Sequence, residues 1–190
     1  MEEAVSFDRH KLEIFGWPQL MQHFGPLAMV CLGDGDLPRT MKQEVFMLLS
    51  LASGCRHCQA HGGYGLHAAG VPAERIQAIW NFERSDAFSA AERAVYTFAL
   101  AAGSSPNAVT PDHFAELRKH YSDRQITELL GVVAMSGFLN RYSDTLAVVT
   151  DQESLDWASE VLGPLGWLPG KHVGTSEEQR AGFPHMPKGD

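Results

Sequence analysis

The chain has 190 residues, 44% of them hydrophobic, enough to bury one globular core. Lys and Arg number 15 against 23 Asp and Glu, a formal net charge of −8. This acid excess argues against a nucleic-acid partner and against an anionic membrane surface, since both need clustered basic groups. No stretch approaches about 20 consecutive apolar residues, so no membrane span is expected. The opening residues, MEEAVSFDRHKLEIF, are acidic and do not read as a secretory leader, and the compartment expected is the cytoplasm. Three cysteines, Cys31, Cys55 and Cys58, make an odd count with one close pair. That pattern suits redox or metal chemistry better than a secreted disulfide framework.

Residues 1–16 read as a lead-in. WPQLMQHFGPLAMVCLG (17–33) predicts a helix broken near Gly25-Pro26, where a proline removes a helix hydrogen bond. Cys31 in that run reads as an inert core thiol. GDGDLPRT punctuates the chain, with Asp36 a candidate N-cap and Pro38 near a first-turn position. A helix over about 38–52 follows, apolar nearly all round and therefore central. Ser53-Gly54 ends it. The next helix starts at or near Cys55 and runs to about Ala69, with Gly70 and Pro72 as stop signals. Its HGGYGLH stretch spends helix stability on three glycines, which calls for a close backbone contact or a substrate path.

PAERIQAIW begins a short helix. Ser89 and Glu92 make a capping box ahead of a helix to about Ala102, and Ser122 and Gln125 make another. Thr110-Pro111 opens a helix between them. ITELLGVVAMSGFLNRYSDTLAVV is the longest helical stretch, and QESLDWASEVLG adds a last one. From Gly163 onward the chain is rich in Gly and Pro and is expected to be extended. The fold class is all-α, with a helical domain over 1–162 and an extended tail over 163–190.

The chemistry concentrates in EVFMLLSLASGCRHCQAH, residues 44–61. Two cysteines at C-x-x-C can close a disulfide across one helical turn when the first lies at the helix start. The unpaired N–H groups there stabilise a thiolate. Thiolate attack on a peroxide gives a sulfenic acid, and the neighbouring thiol condenses with it to a disulfide. By position, Cys55 is the sulfur expected to be open to a reducing partner, and Cys58 is expected nearer Glu44 and His61. Glu44, set among apolar residues, is a candidate proton relay. His57, between the cysteines, reads as flanking. A zinc site on Cys55, His57, Cys58 and His61 is disfavoured, because four ligands on one helix do not converge.

The run E-x10-C-x-x-C-x-x-H, the phrase CRHCQAH and the later FLNRYSDTLAVV resemble the carboxymuconolactone decarboxylase superfamily, in its alkylhydroperoxidase AhpD-like branch. The resemblance covers roughly residues 20–150. It implies an AhpD-like helical bundle that assembles as a homo-oligomer, a trimer or a hexamer. It implies a thiol peroxidase with no cofactor and no metal, acting on a hydroperoxide and reduced by a dithiol such as a lipoyl or thioredoxin-like protein. In that reading Cys58 is the peroxidatic sulfur, Cys55 its disulfide partner, and Glu44 with His61 the proton relay. Here the histidine falls three residues after the second cysteine rather than four. On an ideal helix His61 then lies about 60° beyond Cys58, away from Cys55. Two other readings use the same residues: a decarboxylase-like enzyme on a small organic acid, and a non-catalytic helical oligomer with a vestigial dithiol.

Overall fold

The computed structural model describes residues 16–175, and no strand occurs among them. The expected lead-in over 1–15 and the tail beyond 175 lie outside the described residues. Eight α-helices follow in order: α1 Pro18–Leu32, α2 Arg39–Ser53, α3 Arg56–Ala68, α4 Ala73–Ala78, α5 Ala90–Gly103, α6 Pro111–Leu117, α7 Asp123–Leu146 and α8 Gln152–Val161. The fold is all-α, as the patterning predicts, and no helix is long and apolar enough to cross a membrane among the described residues.

Local signals set most helix ends. The Ser89/Glu92 and Ser122/Gln125 capping boxes both form. One expectation fails at α1, which continues through Pro26 instead of breaking there. The proline forfeits one bond, to the carbonyl of Gln22. Both residues are exposed, so water can take that carbonyl and the helix need not break. Pro38, rather than Asp36, takes the N-cap position of α2.

α2 lies at the centre, packed on α3, α5 and α7. Val45, Leu48 and Leu49 meet Val95, Phe98 and Ala99 of α5 and Leu129 and Val132 of α7 in one buried core. α2 also carries buried charge. Lys42 Nζ sits 2.8 Å from Glu128 Oε1 and donates to the Gly33 carbonyl at 2.7 Å, while Glu128 Oε2 accepts the Leu37 N–H at 2.8 Å. That cluster ties the loop before α2 to α7.

α2 and α3 form an antiparallel hairpin turned by Gly54, whose φ of 79° is the left-handed conformation glycine tolerates. Three contacts give its register: Gln59 donates to the Ser50 carbonyl, Gly62 lies against Met47, and Gly65 lies against Gln43. On α3 the glycine row lets neighbours close in. A Cβ at Gly63 would stand 2.4 Å from the Trp157 ring of α8.

Residues 163–175, the described part of the expected tail, fold onto the body rather than running extended. Short 3-10 turns at Gly163–Leu165 and Gly170–His172 bend it. Trp167 is buried and its indole N–H donates to the Arg56 carbonyl at 3.3 Å. The Thr150 N–H donates to the His172 carbonyl at 2.9 Å. Residues 163–175 thus lie across the N-terminus of α3, where the cysteines are.

Candidate active site

Cys55 is the N-cap of α3. Its Sγ accepts the Cys58 backbone N–H at 3.4 Å, so the sulfur faces the unpaired donors of the helix start. Both cysteines are free thiols. The Cys58 thiol beside it holds Cys55 below the usual thiol range, against the opposing effect of burial. The same contact, with burial adding to it, pushes Cys58 well up. Its place at the helix start makes Cys55 the better sited of the two sulfurs to carry charge. The Ser143 hydroxyl of α7 lies beside Cys58.

The expected difference in access does not occur. Cys55 is 0% exposed and Cys58 3%, because residues 163–175 cover the helix start that the sequence suggested was open. Cys31, by contrast, is only half-buried and lies against Gly131.

Glu44 is buried, but its partners are not the sulfurs. Arg75 Nε donates to Oε1 at 2.9 Å and the Tyr96 hydroxyl donates to Oε2 at 2.5 Å. Arg75 also donates to Glu92 Oε1 at 2.6 Å. By the hairpin register Glu44 lies level with Gly65, seven residues beyond Cys58 along α3, or about 10 Å at 1.5 Å per residue. No residue three or four away on α2 could pair with it. The partner came from α4, which no local pattern announces.

His61 pairs with Asp151. Its Nε2 lies 2.9 Å from Asp151 Oδ2, without hydrogen-bond alignment. Asp151 also caps α8, with Oδ1 accepting the Ser154 N–H at 2.9 Å. Burial raises the Asp151 carboxyl, but His61 and Ser154 outweigh it and hold the group below its usual range.

His57, expected to be flanking, packs among other imidazole rings. It is buried, with its ring 4.3 Å from that of His61 and 5.7 Å from that of His172, and Nδ1 is 3.2 Å from the Thr150 hydroxyl. Burial, with His61 and His172 alongside, drives its pKa well down.

Sequence reasoning missed two groups that stand beside Cys55. One ligand-type atom each from Cys55, Asp144 and His172 lies within 4.8 Å of the others. Asp144 lies in the middle of the FLNRYSDTLAVV phrase, so a signal existed for it. His172 sits in the Gly- and Pro-rich tail, whose composition hides any periodic signal. The four residues expected on α2 and α3 thus divide. Cys55 and Cys58 meet, His61 stands one turn on against Asp151, and Glu44 belongs to a separate ionic network.

A cleft of about 200 Å³ adjoins the site on the α7 side, lined by Ser53, Gly103, Asn140, Arg141 and Asp144 among others. Asn140 is 3% exposed and its Oδ1 has no protein partner. That oxygen offers an acceptor to a molecule entering the cleft.

Residues 18–101 match the carboxymuconolactone decarboxylase family. No curated protein matches the sequence. Among solved structures, the chain is similar to the debrominase Bmp8, in a cysteine-to-alanine variant in complex with 2,3,4-tribromopyrrole. That pair has 28% identity and a TM-score of 0.74, covering 77% of this chain and 79% of that one. The apo form of Bmp8 aligns at 29% identity and a TM-score of 0.72, covering 76% and 77%. An uncharacterized peroxidase-related protein from Ralstonia eutropha, with an alkylhydroperoxidase AhpD core, shares the fold at 21% identity. Its TM-score is 0.66, with coverage of 77% and 78%.

Proposed function

We propose, from the match of residues 18–101 to the carboxymuconolactone decarboxylase family and from the AhpD-like fold, that this is a dithiol-dependent reductase of small substrates, acting first of all as a hydroperoxidase. The observation that carries this reading is the Cys55–Cys58 pair, with one sulfur on the helix N-terminus accepting the Cys58 N–H at 3.4 Å. The thiolate attacks the outer oxygen of a hydroperoxide. The O–O bond breaks, the alcohol leaves with a proton, and a sulfenic acid remains. The second thiol condenses with it, releasing water and forming the disulfide. A dithiol such as a lipoyl or thioredoxin-like protein then restores the pair by exchange.

The resemblance assigns the attack to Cys58. The helix-cap geometry favours Cys55 as the resting thiolate, with Cys58 as the resolving sulfur. His61, paired with Asp151, remains the histidine of the C-x-x-C-x-x-H run available for proton transfer nearby, and Glu44 keeps its network together. Peroxide titration with thiol counting tests the assignment. Cys58→Ser is expected to stop turnover and leave one sulfenic acid on Cys55, and Cys55→Ser to give no rapid reaction. Undiminished hydroperoxide consumption in both variants would sink the peroxidase reading.

A second reading is favoured by the likeness to Bmp8, which has higher identity than the peroxidase-related neighbour. Reductive debromination also consumes a dithiol: the carbon–bromine bond is replaced by carbon–hydrogen, bromide leaves, and the two sulfurs join. Bromide release from a halogenated pyrrole, with no hydroperoxide turnover, would select this reading over the first.

A further inference from the structure

We propose that His172, on the C-terminal segment beyond the family-matched residues, takes the proton of the Cys55 thiol and completes a Cys55–His172–Asp144 constellation. The proposal rests on the dithiol reading of Cys55 and Cys58 and adds the base which that reading lacks.

The tautomer of His172 follows from its surroundings. Nδ1 lies 2.7 Å from the Val148 carbonyl oxygen, which can only accept, so Nδ1 carries a hydrogen. In the neutral ring Nε2 is then the basic nitrogen. That nitrogen is 3.4 Å from Asp144 Oδ1, and the Cys55 sulfur belongs to the same 4.8 Å cluster. A bare lone pair facing a carboxylate shares nothing with it, whereas a proton on Nε2 serves both the carboxylate and the thiolate. Transfer breaks the S–H bond and forms an N–H bond, with no change in oxidation state. The imidazolium can later return that proton to a leaving alkoxide or thiolate.

Burial acts both ways on the pair, opposing each separate charge while strengthening the attraction between them. Cys55 is 0% and His172 1% exposed, so the two charges would meet in a medium far less screening than water. The other groups facing them are accounted for. From the 3-10 turn, Lys171 Nζ takes the other Asp144 oxygen at 2.9 Å. From α3 come His57, whose charged form burial disfavours, the Cys58 thiol, which Cys55 and burial push up, and, farther along, His61 with Asp151. Asp144 is thus shared between Lys171 and His172 and orients the imidazole rather than accepting its proton.

The test reads the thiolate, not turnover. In a Cys58→Ser background, the ultraviolet thiolate absorbance of Cys55 is followed against pH, with a Cys55→Ser/Cys58→Ser protein subtracting Cys31. Adding His172→Gln is expected to cut the thiolate fraction at neutral pH about tenfold, a shift of about one pH unit. An unchanged titration in a variant with native circular dichroism would overturn the proposal. So would a thiolate band in the starting protein that a chelator abolishes, because the three groups would then be holding a metal ion. If His172→Gln does not fold, ring titration of His172 by NMR decides instead, comparing the otherwise unaltered chain with Cys55→Ser. A moved midpoint supports the pairing and an unmoved one overturns it. Absent hydroperoxide turnover with these titrations intact would sink the peroxidase reading and leave the role of His172 standing.

Discussion

The Glu44 carboxylate ties three helices together: α2 through itself, α4 through Arg75, and α5 through Tyr96 and Glu92. Burial and the adjacent carboxylate push the Tyr96 phenol far up, so it stays a donor at any working pH. A carboxylate so placed is satisfied but dependent on its cation. Arg75→Ala is expected to lower the unfolding free energy by about 2–3 kcal/mol, less than the about 3–5 kcal/mol of a fully buried pair because the guanidinium is partly exposed. Urea denaturation measures it. The same variant should leave the Cys55 thiolate titration in place, since the network lies about two helical turns from the sulfurs. A loss under about 0.5 kcal/mol would mean that solvent already screens the pair.

At the scale of the element, α3 is a helix made weak by its own composition and held by its neighbours. Gly62 and Gly63 are buried, and each spends helix propensity to bring another helix close. At Gly63 the neighbour is the Trp157 ring, flat, rigid and pressed against the backbone, so an added methyl has nowhere to go. Gly63→Ala should gain helix propensity and still destabilise the protein by about 1–3 kcal/mol through overpacking. Thermal unfolding reads the sign. A rise in melting temperature would show that α8 yields, and with it the Asp151 cap that faces His61.

For the whole molecule, the exposed large apolar side chains among the described residues lie mostly on α1 and α7, which pack together, with Leu165, Leu168 and Val173 on the C-terminal segment. Trp17, Leu27, Met29 and Val30 on or beside α1 and Leu130 and Phe138 on α7 are all exposed, with Val30 at 72%. Phe24 and Phe138 touch, with ring centroids 5.4 Å apart, so the two helices offer joined apolar surface. Patches of this kind mark contact sites in soluble proteins, and we propose that this face joins subunits of a homo-oligomer. Val30→Asp is expected to weaken self-association at least about tenfold, since burying an unpaired charge costs more than the 1.4 kcal/mol that a factor of ten represents. Sedimentation velocity checks it. A monomeric starting protein, or a variant that sediments like it, contradicts the assignment.

Much of this protein is legible along the chain because the signals are local. The capping boxes at Ser89 and Ser122, the Gly54 turn and the apolar face of α2 depend on residues within a turn or two of one another. So does the C-x-x-C pair, whose chemistry needs only a helix start. What the chain order could not convey is which distant charge finds which. Arg75 lies 31 residues from Glu44, Lys42 lies 86 from Glu128, and nothing in their neighbourhoods links them. The sharpest case is the tail. Its glycines and prolines carry no period and read as extended, yet two buried side chains, Trp167 and His172, anchor it to the start of α3. Sequence by itself determined the helices and the dithiol. Tertiary packing decided that the dithiol is covered, that Glu44 stands apart from it, and that His172 and Asp144 stand beside Cys55, because burial brings distant segments together where spacing along the chain has no say.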